Sequence, residues 1–147
     1  MLHTTVNFKK LDQNAIMPTY GTEHSAGADL YAVASDPVEI GPGETKFIKT
    51  GLALEIPDGL VALIFARSGL ACKQGLAPAN KVGVIDSDYR GEIMVALHNH
   101  SREVRRVSNG DRIAQIGFLP YYTARFVKVE DLNETERGSG GFGSTGK

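Results

Sequence analysis

Short apolar runs recur along this chain at nearly even intervals, each closed by a turn signal, and this rhythm leaves little room for helix. In TKFIKTGLALEI (45–56), Leu52, Leu54 and Ile56 alternate with the period of two expected of a half-buried strand. VALIF (61–65) follows the turn Pro57-Asp58-Gly59, which predicts a hairpin between the two segments. IMVAL (93–97), RIAQIGFL (112–119) and RFVKV (125–129) read as further strands, and GPGE (41–44) and SNGD (108–111) as turns. No window longer than about ten residues carries a helical stripe of period 3.6. The best helical candidate, Ser68 to Lys73, is short. Many short strands with even turn spacing predict an all-β, single-domain jelly roll or distorted antiparallel β-barrel with at most one short helix. A chain of 147 residues is the size of one domain, and folding it buries roughly two-thirds of its extended surface.

Charge and cysteine content narrow the function classes. The net charge is −1, so attraction to phosphate must come from arginines and backbone N–H groups gathered locally. A nucleic-acid-binding barrel fits poorly, because no aromatic strip is interleaved with basic residues. Cys72 is the single cysteine, which excludes an intrachain disulfide. With no apolar stretch in MLHTTVNFKK and none of membrane-spanning length, this predicts an intracellular protein, cytoplasmic or nuclear. From about Arg137 the character changes: RGSGGFGSTGK has five glycines and one large apolar residue, Phe142. The expected division is a β-domain over 1–136 and a mobile, glycine-rich C-terminal arm over 137–147. Such an arm is either a plain linker or, with an arginine at its start and an aromatic in its middle, a clamp for a phosphate and a ring.

Four internal stretches are unusual for a plain β-domain. In SAGADLYA (25–32), Asp29 lies among small and apolar residues, either as a turn residue or buried-arginine partner, or as an organiser of a phosphate-binding arginine or a cation. In ARSGLA (66–71), Arg67, Ser68 and Gly69 offer a guanidinium, a hydroxyl and free N–H groups, which suits an anion but is common by chance. APANKVGVIDSDYRGEI (77–93) carries most information. Asn80-Lys81-Val82-Gly83 predicts a turn, making a hairpin whose open edge displays backbone donors and acceptors, and Asp86, Asp88, Tyr89 and Arg90 follow the apolar Val84-Ile85. A carboxylate there either decorates a surface hairpin or holds a water for attack on phosphorus. A carboxylate is a weak base in water, so its contribution would be mostly positioning and charge. In NGDRIAQIGF (109–118), Gln115 either donates to a phosphate oxygen or satisfies a neighbouring strand, while Asp111 and Arg112 cap a turn or pair across an interface. His98 and His100 face the same way but have no third ligand spaced to join them. No Walker loop or catalytic triad is present.

Taken together, these stretches resemble the homotrimeric deoxyuridine triphosphatases (dUTP pyrophosphatases). The five ordered motifs of that family correspond here to AGADL (26–30), RSGL (67–70), GVIDSDYRG (83–91), GDRIAQ (110–115) and RGSGGFGSTG (137–146), so the likeness spans essentially the whole chain. The resemblance implies a jelly roll, a homotrimer with three active sites at subunit interfaces, and hydrolysis of dUTP to dUMP and pyrophosphate with Mg²⁺. By residue-for-residue correspondence, Asp86 orients the water that attacks the α-phosphorus. The segment from Asn80 to Tyr89, with Gly83, Val84 and Ile85, holds uracil largely through its backbone, and Tyr89 packs on the sugar and rejects a 2′-hydroxyl. Arg67, Ser68, Gly69 and Gln115 hold the phosphates. Arg137 pairs with the γ-phosphate, and Phe142 stacks over uracil as the arm closes with Gly143 and Ser144. Asp29 and Asp111 support the site from behind, and Mg²⁺ is held by the triphosphate and waters rather than directly by protein.

Two rivals share the expected fold. A dCTP deaminase-like or bifunctional enzyme needs an acidic residue near the pyrimidine's C4. Its natural place follows the RS turn, where this chain reads RSGLACKQG. A non-catalytic regulatory domain could dispense with Asp86 or the arm, and this chain has both.

Overall fold

The computed structural model describes residues 3–141, so the arm residues Phe142, Gly143 and Ser144 lie outside the described residues. Twelve strands and one helix are present among them. In chain order the strands are β1 (Asn7–Lys10), β2 (Thr19–Tyr20), β3 (Ala28–Tyr31), β4 (Val38–Ile40), β5 (Thr45–Lys49), β6 (Leu52–Glu55) and β7 (Leu60–Phe65). After α1 (Ser68–Gln74) come β8 (Leu76–Pro78), β9 (Gly83–Ile85), β10 (Met94–Asn99), β11 (Arg105–Val107) and β12 (Arg112–Pro120). The molecule is the expected all-β jelly roll with a single short helix. Its largest sheet has the order β2-β3-β12-β7-β9, and a second has the order β5-β10-β8. The pairs β1-β6 and β11-β4 complete it, and no sheet closes on itself among the described residues.

Alternating side chains explain how the strands share one core. In β10, Val95, Leu97 and Asn99 are buried while Met94 is exposed. Leu30, Ile48, Ile64, Leu97, Ile113 and Ile116 meet in the same apolar cluster, and each such side chain contributes about 1.5–3 kcal/mol on burial. The two buried polar side chains among the described residues are satisfied: the Thr50 hydroxyl donates to the Ile93 carbonyl at 2.6 Å, and the Asn99 amide donates to the Ile40 and Glu103 carbonyls at 2.8 Å. Helix α1 ends where Gly75 takes the left-handed conformation (φ 70°), as a C-terminal glycine commonly does.

Three expectations are corrected by strand pairing. The 45–56 and 61–65 segments do not form a hairpin: β6 pairs with β1, whereas β7 pairs with β12 and β9. The Pro57-Asp58-Gly59 turn forms, with Leu60 N–H donating to the Pro57 carbonyl, but it carries the chain from one sheet to another. The 80–83 turn likewise joins outer strands of two different sheets, since β8 pairs with β10 and β9 with β7. Residues 125–129 are not a strand; the chain from 122 to 130 is exposed and joins no sheet. A segment becomes a strand only beside another edge, and none among the described residues meets this one. No helix among the described residues is long and apolar enough to cross a membrane.

Candidate active site

The arch between β8 and β9 shapes one recess. Lys81 turns the chain with a left-handed backbone (φ 67°), its N–H donating to the Pro78 carbonyl, while Val82 N–H donates to the Asn80 carbonyl at 2.7 Å. Gly83 is buried, and a Cβ there would meet Ile64 at 3.2 Å and the Asn80 amide nitrogen at 3.4 Å. A side chain here would press on Ile64 and lie in contact with the Asn80 amide. A cavity of about 70 Å³ lies against Asn80, Gly83, Val84, Ile85 and Met94. Because β9 is an outer strand, one edge of Gly83–Ile85 keeps backbone groups that no strand of its sheet uses. Such an edge can pair with a flat polar group.

A larger cavity of about 270 Å³ adjoins it, sharing Val84, Ile85 and Met94 and adding Phe47, Asp86, Tyr89 and Glu92. Asp86 is exposed, and its carboxylate has no ion-pair partner among the described residues. The turn that carries it is closed by Tyr89 N–H donating to the Asp86 carbonyl at 3.2 Å and by Arg90, whose guanidinium donates to the Ser87 carbonyl at 2.6 Å. The Tyr89 hydroxyl donates to the Glu92 carbonyl at 3.1 Å. A free carboxylate beside an open cavity can orient a water. Glu92, Met94 and Phe47 were not singled out from sequence; Met94 and Phe47 read there only as strand residues.

The second cluster is basic. Asp29 is the hub: one carboxylate oxygen accepts from Arg67 Nε at 2.7 Å and the other from Arg112 at 3.2 Å, with the Asp29 side chain 17% exposed. Asp29 is thus an arginine partner rather than a turn residue, a placement common to its structural and its functional reading. Gln115 pairs with Phe65 and Asp29 across the sheet, and its amide donates to the Ala66 carbonyl at 2.9 Å. Gly27 makes room for it, since a Cβ there would lie 2.7 Å from the Gln115 carbonyl oxygen. Ser68 and Gly69 open α1 on the surface beside Arg67. Arg67, Arg106, Arg112 and Asp111 line a cavity of about 240 Å³. Asp111 caps its turn, accepting from Ser108 N–H at 2.7 Å. Arg112, which the sequence left between turn and interface, belongs to this cluster. Its signal was its place in a short polar motif on an otherwise apolar strand.

These two clusters stand at opposite ends of β7. Ala62 pairs with Ile85, the neighbour of Asp86, and the five steps from Ala62 to Arg67 at roughly 3.3 Å each span about 17 Å. Across that separation the Arg67 and Asp86 side chains of one chain do not touch each other. Arg137 is brought to neither cluster; it lies in an exposed turn where its carbonyl accepts from Gly140 N–H. The His98 and His100 rings are 4.4 Å apart, and His98 Nδ1 lies 2.8 Å from the Thr45 hydroxyl. The His100 pKa is lowered by desolvation, then by His98 and Lys81. No group of three or more metal-ligating side chains occurs among the described residues.

Comparison with known proteins gives one answer. The sequence model of the dUTPase family matches residues 13–146. The deoxyuridine 5′-triphosphate nucleotidohydrolase of Nautilia profundicola is 51% identical, over 97% of this chain and 99% of its own. The Staphylococcus bacteriophage 80alpha dUTPase with dUPNHPP is 30% identical with a TM-score of 0.87, covering 99% of this chain and 100% of its own. A dUTPase from phage phi11 of S. aureus, described with a structural Mg(II) ion, is 27% identical with a TM-score of 0.77, over 87% of this chain and 98% of its own.

Proposed function

Because the chain belongs to the dUTPase family and hydrolyses dUTP to dUMP and pyrophosphate, we propose that its site is assembled between copies of the chain, with Asp86 from one and Arg67 from another. The observation that carries this is the separation of about 17 Å along β7. A homotrimer satisfies it with three equivalent sites. Exposed apolar side chains support assembly: Phe47 (71% exposed) and Val84 (62%) rim the Asp86 cavity, and Tyr122, Phe126 and Leu132 stand out from the unpaired 121–132 segment. A neighbouring copy would cover the former and offer an edge to the latter.

Within such a site, Asn80 and the backbone of Gly83, Val84 and Ile85 take uracil. Cytosine reverses the donor and acceptor pattern at N3 and C4, leaving buried groups unpaired at about 1–3 kcal/mol each. The tight arch disfavours thymine's methyl, and Tyr89 packs against the sugar. Arg67, Ser68, Gly69 and Gln115 of the second copy hold the phosphates, with Asp29 and Asp111 fixing their supports. Asp86 orients a water in line with the α-phosphorus. Its free carboxylate suits hydrogen bonds to metal-bound waters, whereas Asp29 is committed to two arginines. When bound to the triphosphate, Mg²⁺ offsets phosphate charge and gathers the chain of phosphates. Chelating it with EDTA is expected to reduce turnover strongly while leaving the melting temperature unchanged; a parallel fall in melting temperature would mean a metal built into the fold.

Residues 137–147 act as an arm that closes the site, Arg137 meeting the γ-phosphate and Phe142, Gly143 and Ser144 covering the base and phosphates. A chain ending at Glu136 is expected to keep its melting temperature and lose roughly tenfold to a hundredfold in kcat/KM, the scale of lost positioning. Unchanged kinetics would return the tail to the linker reading. The test of the substrate reading is chromatography of products from dUTP, dCTP, dTTP and UTP. Conversion of dUTP alone to dUMP and pyrophosphate is the expected result, and deamination of dCTP would overturn it.

A further inference from the structure

We infer that Gly91 is the specificity-determining seat of Tyr89: the missing side chain lets the tyrosine ring lie where it meets the sugar. The inference rests on the reading that Tyr89 contacts the sugar. A Cβ built on Gly91 would overlap the Tyr89 hydroxyl and lie 2.5 Å from Cζ and 2.9 Å from Cε2. No real Cβ tolerates such distances, so even alanine must push the ring aside. The backbone at Gly91 does not explain the glycine, because its φ is not positive. What the position requires is space.

The seat is firm on its other side. The Tyr89 hydroxyl donates to the Glu92 carbonyl at 3.1 Å, one residue beyond Gly91. Glu92 is itself tied back, its carboxylate accepting from Gly51 N–H at 2.9 Å. The next residue, Ile93, is held twice: its carbonyl accepts from the buried Thr50 hydroxyl at 2.6 Å, and its N–H donates to the Leu52 carbonyl at 2.8 Å. The ring therefore lies on a strip of backbone anchored to the 50–52 turn. It cannot retreat with the strip when a methyl group is added. It must swing toward the cavity it shares with Asp86 or away into solvent. Either movement changes how closely the ring approaches the 2′ carbon of a bound nucleotide, the only place where dUTP and UTP differ.

The experiment compares kcat/KM for dUTP and UTP in the full-length chain, in Gly91→Ala, in Tyr89→Ala and in the double variant, with melting curves for each. Gly91→Ala is expected to lower the dUTP-over-UTP ratio by about tenfold or more, within the range that one misplaced contact produces. In the Tyr89→Ala background it should change the ratio by less than about twofold, since its effect runs through the ring. If Tyr89→Ala abolishes discrimination and Gly91→Ala preserves it, the inference is overturned and the sugar reading stands. Equal effects of Gly91→Ala with and without Tyr89 also overturn the inference. If Tyr89→Ala keeps full discrimination, the sugar reading fails and the inference falls with it. Should Gly91→Ala fail to fold, recovery of folding in the double variant would identify the ring as what the methyl meets, and continued failure would overturn that contact.

Discussion

Asp86→Asn is expected to reduce kcat for dUTP by 10²- to 10⁴-fold, roughly the contribution of a positioned carboxylate to proton transfer, with little change in affinity for a non-hydrolysable dUTP analogue. Asparagine keeps the shape and one acceptor but loses the charge and the ability to draw a proton from water. The fold has no stake in the charge: the Asp86 carboxylate makes no ion pair among the described residues, and the hydrogen bond that closes its turn uses its backbone carbonyl. Loss of kcat without loss of binding is the mark of an interaction made mainly in the transition state. Single-turnover rates and analogue binding, measured on the same preparation, separate the two. A fall below tenfold would assign the water to another group. The nearest alternative is Glu92, which lines the same cavity but already accepts from Gly51 N–H.

What the sequence made legible was local, and what it hid was pairing. Short apolar, partly β-branched runs bounded by turn signals identified the strands around Leu52, Val61, Val95 and Ile113, because each such run is too short for a helix and rich enough in apolar side chains to meet the core. The same signal cannot say which edges meet. Pro57-Asp58-Gly59 is a sound turn, yet β6 and β7 run to different sheets, since a turn fixes a local reversal and long-range packing fixes the partner. Asn80 to Gly83 shows the same limit with a functional consequence: a paired hairpin would have used up the backbone groups that the open edge of β9 retains. RFVKV failed as a strand for a further reason. Its β-branched pattern is real, but no strand among the described residues runs beside it.

The site residues were visible as motifs, while their grouping was not. Asp29, Arg67 and Gln115 stand far apart in sequence and meet because β3, β12 and the end of β7 are neighbours. Antiparallel pairing of β9 with β7 then sends Asp86 away from them, as one more residue along β9 moves toward the start of β7. Chain order gives no hint of this separation, and it is the observation on which the proposed shared site rests.

Mixing two inactive chains should therefore restore activity. Arg67→Ala is expected to lose about 10²- to 10³-fold, the scale of one removed donor to developing charge. Asp29 keeps Arg112 as a partner in that variant, which limits the cost to folding. Asp86→Asn is impaired by itself at least as strongly. If Asp86 and Arg67 of one site come from different chains, equal co-refolding leaves about one site in four with both residues intact, so activity should rise to about a quarter of the wild-type value from near zero. If both come from one chain, every site carries a lesion and mixing restores nothing. The double variant refolded with wild type supplies the converse control. About a quarter of the sites should again be intact when the two residues come from separate chains, against about a half when they share one. The two arrangements thus give opposite results in the first mixture and a twofold difference in the second. No change in the strength of any single contact can imitate that pattern, because it counts which chains a site is made from.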